Sequence, residues 1–357
     1  DFVREHGEGA LVGQINKLHA QYQLDAVMAI SETDMQLLNR PRTECGSIKL
    51  LIPEADLLTK ALDKELTYQY ARRVGIDVPD TIAIASASDF EKERFLENIQ
   101  FPVVLKWPDP PAVLLKLRAN NLPLIKAEYA YNPGELLKKL DRYVVLDEFP
   151  LVQSFCPGHG LGQFFLINNG EVVQRFQHLR IHEWPPEGGF STLCRAVPSS
   201  EHVELMRKSE QLLLAMSWEG VAMVEYRYSP YTGKAYLMEI NGRFWGSLPL
   251  AYHCEAQFAW LLFQSKGLGQ TPQALPPRDD LQCRYMIPET KRLLRVVATP
   301  AKILDASFKP SPAKDLYSYL VGFFSPHMRY FLFSWKDPLP FLADLRAVLC
   351  KALNINE

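Results

Sequence analysis

The stretch 224–243 brings two acidic side chains together in a way that suits cation chemistry. Turn-forming residues at 229–233 separate two runs of alternating apolar and polar residues, which predicts a β-hairpin centred near Thr232. Glu225 and Glu239 are equally far from that centre, so their side chains would lie opposite each other with Cβ atoms roughly 5 Å apart. Two carboxylates at this separation need a shared proton or a cation.

A divalent cation relieves the repulsion between the carboxylates best. At about 4 Å and an effective dielectric constant of about 20, that repulsion costs about 4 kcal/mol. Asn241 follows Glu239 at a two-residue step, so its amide oxygen points to the same face and completes a hard oxygen set suited to Mg²⁺. Arg243, two residues further, would hold a transferring phosphate through two hydrogen bonds. The alternative interpretation is a surface hairpin with exposed acids.

Long antiparallel strands would position these side chains. The runs at 151–156, 164–181 and 221–241 alternate as strands do, and an Asn-Gly pair at 169–170 predicts a tight hairpin within the second run. A helix at 199–217 separates the last two runs. The metal-binding side chains are therefore expected on an antiparallel sheet.

The N-terminal half alternates between helices and short strands. Residues 14–24 have helical periodicity and lead into a buried strand at 25–30, which indicates a small α/β unit whose own first strand would lie upstream of residue 1. The remaining predicted elements are helices at 54–75 ending at Gly75, a strand at 78–84, a helix at 86–99 capped by Ser86 or Ser88, strands at 102–107 and 124–130, and a helix at 132–142.

The spacing from Glu225 to Arg243 resembles the metal-binding segment of the ATP-grasp superfamily, which includes biotin carboxylase and carbamoyl-phosphate synthetase. In that family an acidic residue or Gln is followed, about a dozen residues later, by Glu-x-Asn-x-Arg. The resemblance implies that Glu225, Glu239 and Asn241 hold one or two Mg²⁺ ions, with Mn²⁺ as an alternative. It also implies that Arg243 steadies the transferring phosphate or an acyl phosphate.

Further segments resemble the family's nucleotide site, in the same order along the chain. Asp63-Lys64 before Gly75-x-x-x-Pro79, and the strand that ends at Lys106, match its two lysine-bearing segments. The segment 150–158 is similar to the strand that binds adenine, and 182–192 to the segment before the metal-binding helix of carbamoyl-phosphate-synthetase-like members. The implied nucleotide contacts are Lys64, Lys106, Gln153, Ser154, Phe155, Cys156 and His159, and Arg180 is an implied substrate or phosphate contact.

The sequence departs from the family after Lys106. Many members carry a glycine-rich loop there that closes over the phosphates, but here no glycine occurs before Gly134. Either side chains such as Lys116 or Arg118 replace that loop, or nucleotide binding has weakened. A glycine-containing stretch at 157–162 lacks the Gly-Lys-Ser/Thr ending of a phosphate loop and is interpreted as a turn beside the adenine-binding strand.

The resemblance implies an α+β and α/β protein: an ATP-grasp fold of two α+β subdomains sandwiching ATP, after an N-terminal Rossmann-like unit. The expected segments are 1–58 for that unit, 59–150 and 151–268 for the subdomains, and 269–357 for a C-terminal appendage. The implied activity is a carbon–nitrogen ligase that activates a carboxylate as an acyl phosphate and couples it to an amine. A small-molecule kinase and a nucleotide-binding regulatory protein with little turnover stay open as alternatives.

Composition limits the partners. The 357 residues carry a net charge of −2 without a basic run, so the chain has no basic surface that would attract nucleic acid or anionic membranes. Small molecules are therefore the expected partners, and a homodimer is left open. The six scattered cysteines and the absence of a signal pattern fit reduced thiols in a cytoplasmic protein. His178 and His182 have a spacing that permits zinc, but no third ligand is evident, so zinc is not favoured.

Overall fold

The computed structural model describes residue 7 and residues 9–40, 42–91, 94–108, 110–125, 127–186, 188–303 and 309–352. Some predicted elements lie partly outside these residues: the helix at 86–99 (at 92 and 93), the strand at 124–130 (at 126) and the segment 182–192 (at 187). The ends of the predicted first and last segments also lie outside them. Within the described residues, no helix has the length and apolar character needed to cross a bilayer.

The chain forms two compact units. The first contains residues 1–76, 159–226 and 239–357, and the second contains 77–158 and 227–238. The predicted boundaries at 58, 150 and 268 stay predictions.

The first unit begins with a small α/β arrangement. β1 and β2 pair in parallel, as the helix-to-strand pattern predicted, although each strand has only two residues. The predicted helical stretch at 54–75 forms two helices, and Gly75 ends it with φ +72°. The elements are α1 (Gly9–Tyr22), β1 (Ala26–Val27), α2 (Glu32–Asn39), β2 (Lys49–Leu50), α3 (Ala55–Leu62) and α4 (Lys64–Arg73).

A seven-stranded sheet carries most of the core of the first unit. The predicted Asn-Gly turn is present, with φ +55° at Asn169 and +74° at Gly170, and it joins two long antiparallel strands. The elements are β7 (His159–Asn168), β8 (Glu171–Trp184), β9 (Phe190–Ala196), α8 (Val203–Ala215), β10 (Gly220–Tyr228) and β11 (Ala235–Asn241). The strand order is β11-β10-β7-β8-β9-β12-β13.

The C-terminal segment contributes two strands to this sheet. β12 (Gln282–Arg284) pairs antiparallel with β9, and β13 (Met328–Tyr330) pairs parallel with β12. The intervening and flanking helices are α9 (Leu248–His253), α10 (Phe258–Leu262), α11 (Met286–Ala298), α12 (Pro312–Val321) and α13 (Leu339–Ala352). The predicted appendage is thus part of the main sheet, through strands too short to give a periodic signal.

The second unit is a four-stranded sheet with order β3-β6-β4-β5 and helices around it. Its elements are β3 (Thr81–Ile82), α5 (Ala87–Glu91), β4 (Val103–Lys106), α6 (Pro110–Ala119), β5 (Glu128–Ala130), α7 (Pro133–Asp141) and β6 (Leu151–Ser154). Of the two candidate caps, Ser86 accepts the Asp89 amide at 3.3 Å. Within the described part of the predicted helix at 86–99, α5 and a 3₁₀ turn at Arg94–Asn98 form.

Candidate functional site

Arg180 and Glu225 form the centre of a charged cluster in the first unit. Arg180 lies on β8, and its Nη2 donates to Glu225 Oε2 on β10 at 2.6 Å. The two side chains are only 13% and 15% exposed, so the ion pair is largely shielded from water. Glu183 Oε1 lies 3.5 Å from Arg180 Nη1, and the same nitrogen donates to the Gly189 carbonyl at 3.2 Å.

Gly160 makes this ion pair possible. The strand order places β7 between β8 and β10, so the Arg180 side chain must cross β7 to reach Glu225. A Cβ atom at Gly160 would lie 2.6 Å from Arg180 Cδ and 3.0 Å from Glu183 Oε1. The interpretation of 157–162 as a turn is wrong from His159 onward, because β7 begins there. The signal that sequence analysis missed was Gly160. It has no side chain, and it lies on the strand between those that carry Arg180 and Glu225.

Asn241, the last residue of β11, and Arg243, two residues beyond it, extend the cluster. Asn241 Nδ2 donates to Glu239 Oε1 at 3.0 Å, and Asn241 Oδ1 accepts from Arg243 Nη2 at 3.0 Å. Arg243 Nε lies 3.2 Å from Glu32 Oε1 on α2, a contact that sequence reasoning missed because about 200 residues separate the two. The structure therefore gathers the predicted Glu239, Asn241 and Arg243 into one hydrogen-bonded row.

Gly242 fixes how closely this row approaches the core. A Cβ atom at position 242 would lie 2.3 Å from the ring of Trp218, which is buried in the core. The Asn-Gly-Arg segment can follow its path only because that position has no side chain.

The electrostatics of the cluster favour an additional cation. Burial raises the pKa of Glu225; Arg180 lowers it, and Glu239 and Glu183 raise it further, with a net increase. Burial opposes the charge on Arg180, but Glu225 and Glu183 more than offset this and raise its pKa. We call the group of Arg180, Arg243, Asn241, Glu32, Glu183, Glu225 and Glu239 the carboxylate cluster. Its carboxylates outnumber its guanidinium groups by two.

That excess of negative charge matches one divalent cation. Glu225 and Glu239 offer carboxylate oxygens and Asn241 an amide oxygen, which are hard ligands of the kind that Mg²⁺ prefers. The predicted ligand set therefore fits the ion in both charge and chemistry. The direct opposition of Glu225 and Glu239 across the hairpin stays a prediction.

The predicted nucleotide contacts of the second unit lie on its sheet. Lys106 is the last residue of β4 and is half-buried. Its backbone pairs with that of Leu151 on β6. Gln153 is buried, and its Nε2 donates to Thr81 Oγ1 at 3.2 Å. The backbone amides of Ser154 and Phe155 already donate to the carbonyls of Asp80 and Pro102, at 2.8 and 3.1 Å. Those two amides are therefore engaged within the sheet rather than directed to a ligand.

Cys156 follows β6 as a buried thiol. Burial is the main cause that raises its pKa to about 11, although Lys106 and Arg227 lower it. Its Sγ lies 3.7 Å from the Ser154 carbonyl. An adenine contact at this position would use the backbone or the neutral thiol.

Lys64 and His159, both in the first unit, begin secondary-structure elements. Lys64 is the first residue of α4, directly after Asp63, whose side chain accepts the Leu66 amide at 3.0 Å. His159 is exposed at the start of β7. Their predicted contacts with phosphate and ribose stay predictions.

A helix follows Lys106 where many family members have a glycine-rich loop. Residues 110–119 form α6, and Lys116 Nζ pairs with Glu148 Oε2 at 2.5 Å. Amides beyond the first turn are bonded within the helix, and Pro110 and Pro111 have no N–H group, so this segment offers few amides to phosphates. The replacement of that loop by side chains such as Lys116 or Arg118 stays a prediction.

A second charged cluster was not foreseen. His182 Nδ1 lies 2.6 Å from Glu289 Oε1, and Thr192 Oγ1 donates to Glu289 Oε2 at 2.5 Å. Arg292 Nη2 donates to Asp315 Oδ1 at 3.0 Å. Glu289 and Arg292 are 2% and 4% exposed, whereas the His182 and Asp315 side chains are 17% and 14% exposed. We call these four residues together with Thr192 the buried network.

The structure gives no support for zinc at the two histidines. His182 belongs to the buried network, whereas the His178 Nε2 atom is 2.6 Å from Ser247 Oγ in the core. In the described part of the chain, no three or more Cys, His, Asp or Glu residues are grouped as metal ligands would be. The proposed Mg²⁺ ligands of the carboxylate cluster are of a different kind, two glutamates and an asparagine.

No protein-family model and no curated protein sequence matches the chain. Solved structures do match it. A dimeric biotin carboxylase domain of 2-oxoglutarate carboxylase from Hydrogenobacter thermophilus, in complex with MgADP, ADP and bicarbonate, superposes with a TM-score of 0.58 at 11% identity, covering 76% of this chain and 60% of that one. The L-amino acid ligase from Bacillus licheniformis gives 0.53 at 15% identity, covering 78% and 65%.

The N5-carboxyaminoimidazole ribonucleotide synthetase from Thermus thermophilus gives a TM-score of 0.55 at 16% identity, covering 76% of this chain and 68% of that one. The chain thus spans about 60% of the length of the biotin carboxylase structures that it matches. All of these proteins are ATP-grasp enzymes, and the likeness shows that the chain has the ATP-grasp fold.

Proposed function

We propose that this chain is a Mg-ATP-dependent ligase that activates a carboxylate as an acyl phosphate and couples it to an amine. The observation that carries this proposal is the carboxylate cluster, in which two glutamates, an asparagine and two arginines meet on one sheet. The fold is that of ATP-dependent ligases, which supports the general reaction class. Small-molecule substrates, a cytoplasmic location and a homodimer belong to the same proposal.

Glu225, Glu239 and Asn241 are the residues that would hold Mg²⁺. When bound, the ion would neutralise phosphate oxygens and so stabilise the charge of phosphoryl transfer. Glu225 is half of an ion pair with Arg180, so the ligand set is already ordered by a positive charge in the protein itself. Asn241 is held in turn by Arg243.

Arg243 and Arg180 are the groups that would bind the anionic reactants. Arg243 is 29% exposed and keeps only Glu32 as an ion-pair partner among the described residues, so its guanidinium can reach a carboxylate or phosphate at the surface of the cluster. The Arg180 side chain is less exposed than that of Arg243, and its ion pair orients Glu225. Charge-assisted hydrogen bonds from both would offset the charge that develops on an acyl phosphate.

Thermal unfolding in the presence of nucleotide tests the site directly. At about 100 times its dissociation constant, ATP should stabilise the fold by about 2.7 kcal/mol, and the shift should require Mg²⁺. The shift should vanish in Glu239→Gln. Unchanged melting temperatures with ATP, ADP and Mg²⁺ in every combination would reject the nucleotide site.

The ligase reaction is separated from a kinase reaction by its products. ADP release that needs both a carboxylate and an amine, with an amide as product, supports a ligase. ADP release with a stable phosphorylated product and no amine requirement supports a small-molecule kinase instead. Screening carboxylate and amine pairs by ADP release therefore identifies the reaction class and the substrates together.

A nucleotide-binding protein with little turnover is the second candidate, and α6 is the observation that favours it. A helix in place of a glycine-rich loop removes one source of phosphate-binding amides. In that case ATP would raise the melting temperature, but ADP release would stay at the rate of buffer with every substrate pair.

A further inference from the structure

A separate pocket of about 460 Å³ lies within the first unit. The start of β8, the first half of α8 and the proline-containing segment 276–279 line it. Arg180 and Glu183 are near the other end of β8, and no residue of the carboxylate cluster lines the pocket. The volume is within the range of small-molecule sites in proteins.

Three arginines with unused donors surround this pocket. Arg175 donates through Nε and Nη2 to Glu210, Arg207 does so to Glu204, and Arg278 to Asp280. In the part of the chain that the structure describes, the Nη1 group of each has no hydrogen-bond partner. Each guanidinium is therefore oriented by a two-point contact with a carboxylate while it keeps donors for a ligand.

Asp279 supplies the opposite charge on the same lining. Its carboxylate makes no hydrogen bond or ion pair with any described residue, unlike Glu210, which is engaged by Arg175. Apolar side chains also line the pocket, among them Val173, Met206 and Pro277. The lining thus offers donors for an anion, an acceptor for a cation and an apolar surface.

We infer that this pocket binds a zwitterion with an apolar body, such as an apolar α-amino acid or a short peptide with free ends. Its carboxylate would be held by arginine Nη1 donors and its ammonium group by Asp279. A simple anion fits less well, because four carboxylates lie in or next to the lining against three arginines. The inference does not depend on the ligase activity.

Three related probes test the charge requirement by isothermal titration calorimetry. L-phenylalanine carries both charges, 3-phenylpropanoate lacks the ammonium group and phenethylamine lacks the carboxylate, while leucyl-leucine tests a peptide. L-phenylalanine or leucyl-leucine should bind, and each single-charge compound should bind about tenfold more weakly than L-phenylalanine or not detectably.

Two variants assign the contacts. Arg207→Gln should weaken binding of the zwitterion about tenfold and leave phenethylamine unchanged, whereas Asp279→Asn should weaken the zwitterion and leave 3-phenylpropanoate unchanged. Both side chains are at the surface, so the melting temperatures should stay within a degree or two of the unsubstituted protein. Arg72→Gln, an exposed arginine on α4 outside the pocket, is the matched control and should bind as the unsubstituted protein does.

Glu239→Gln separates this site from the carboxylate cluster, since binding in the pocket should not change in that variant. The inference is overturned if neither zwitterion binds, if 3-phenylpropanoate binds as tightly as L-phenylalanine, or if Arg207→Gln and Asp279→Asn bind like Arg72→Gln.

Discussion

The carboxylate cluster and the buried network start two residues apart on β8, at Arg180 and His182, yet they differ in their partners and exposure. In the buried network Glu289 and Asp315 share Arg292 and His182, Thr192 adds a hydroxyl donor, and Glu289 is 2% exposed. The carboxylate cluster has four acids and two arginines but no histidine or hydroxyl, and Arg243 is 29% exposed. Moreover, Arg180 Nε is buried without a hydrogen-bond partner among the described residues.

Under the proposed function, this difference would separate a structural group from a functional one. Paired charges with little exposure hold elements together, and removing one partner lowers the stability of the fold. An excess of charge at a partly open position costs stability and is expected where a ligand completes the set. Substitutions in the two groups should therefore affect different measurements.

Glu239→Gln should have the largest effect, and only on turnover. Because the substitution removes one charge from the proposed metal ligands, ADP release should fall roughly a thousandfold, or about 4 kcal/mol in activation free energy. The free energy of unfolding should stay equal or rise slightly, since repulsion with Glu225 is removed. Glu171→Gln, an exposed acid on the same sheet, serves as the control in both assays, and full activity in Glu239→Gln would remove the metal assignment.

Glu289→Ala should act on stability instead. The substitution leaves Arg292, His182 and Thr192 without their shared carboxylate, and breaking a buried pair in this way costs about 3–5 kcal/mol. Urea unfolding monitored by circular dichroism measures the loss, with the exposed Glu65→Ala as control. If Glu289→Ala were as stable as Glu65→Ala but inactive, the buried network would have to be regarded as part of the active site.

His178 should make the stability of the first unit pH-dependent. Burial, with a smaller contribution from Arg180, lowers its pKa from 6.5 to about 3. The unfolded chain therefore binds the proton more readily, and stability is lost as the pH falls below about 6.5. Between pH 6.5 and 4.5 this loss should amount to about 2 kcal/mol.

The measurement is the slope of the unfolding free energy against pH for the unsubstituted protein and for His178→Gln. The variant should show a flatter slope in this window, whatever its absolute stability. Parallel slopes would mean that His178 is not the responsible group.

Thr192→Val should give the smallest effect. It removes one hydrogen bond to Glu289 while keeping the shape of the side chain, and a bond to a charged acceptor contributes about 1.5 kcal/mol or somewhat more. Thr271→Val, at an exposed position without a described hydrogen bond, should be nearly neutral. Equal melting temperatures for the two variants would show that Thr192 adds nothing to the buried network.

The carboxylate cluster could be predicted because most of its members lie within one hairpin. Glu239, Asn241 and Arg243 are close in sequence, so alternation along one strand was enough to place them together, whereas the opposition of Glu225 and Glu239 stays a prediction. Arg180 was found only through the family resemblance. Its path over Gly160 depends on the order of strands in the sheet, which a single sequence does not specify.

The buried network and the C-terminal strands could not be predicted for related reasons. Glu289 and Thr192 are hydrogen-bonded although 97 positions separate them in the sequence. Nothing in the sequence around either residue indicates the other. β12 and β13 have three residues each, which is too short for a period of two to be recognised. The helix α6 begins within a proline-rich stretch that favoured a loop, although proline is well tolerated in a first helical turn.

The pairing of β9 with β12 and of β12 with β13 also has a consequence for the order of folding. β9 pairs with β8 on one edge, but its second partner, β12, is synthesised only after nearly ninety further residues, and β13 follows some forty residues later. Until then β9 presents an unpaired edge, which is open to pairing with other chains. High contact order of this kind also slows folding. We therefore expect nascent chains that stall before β12 to depend on chaperones more than chains that have passed β13.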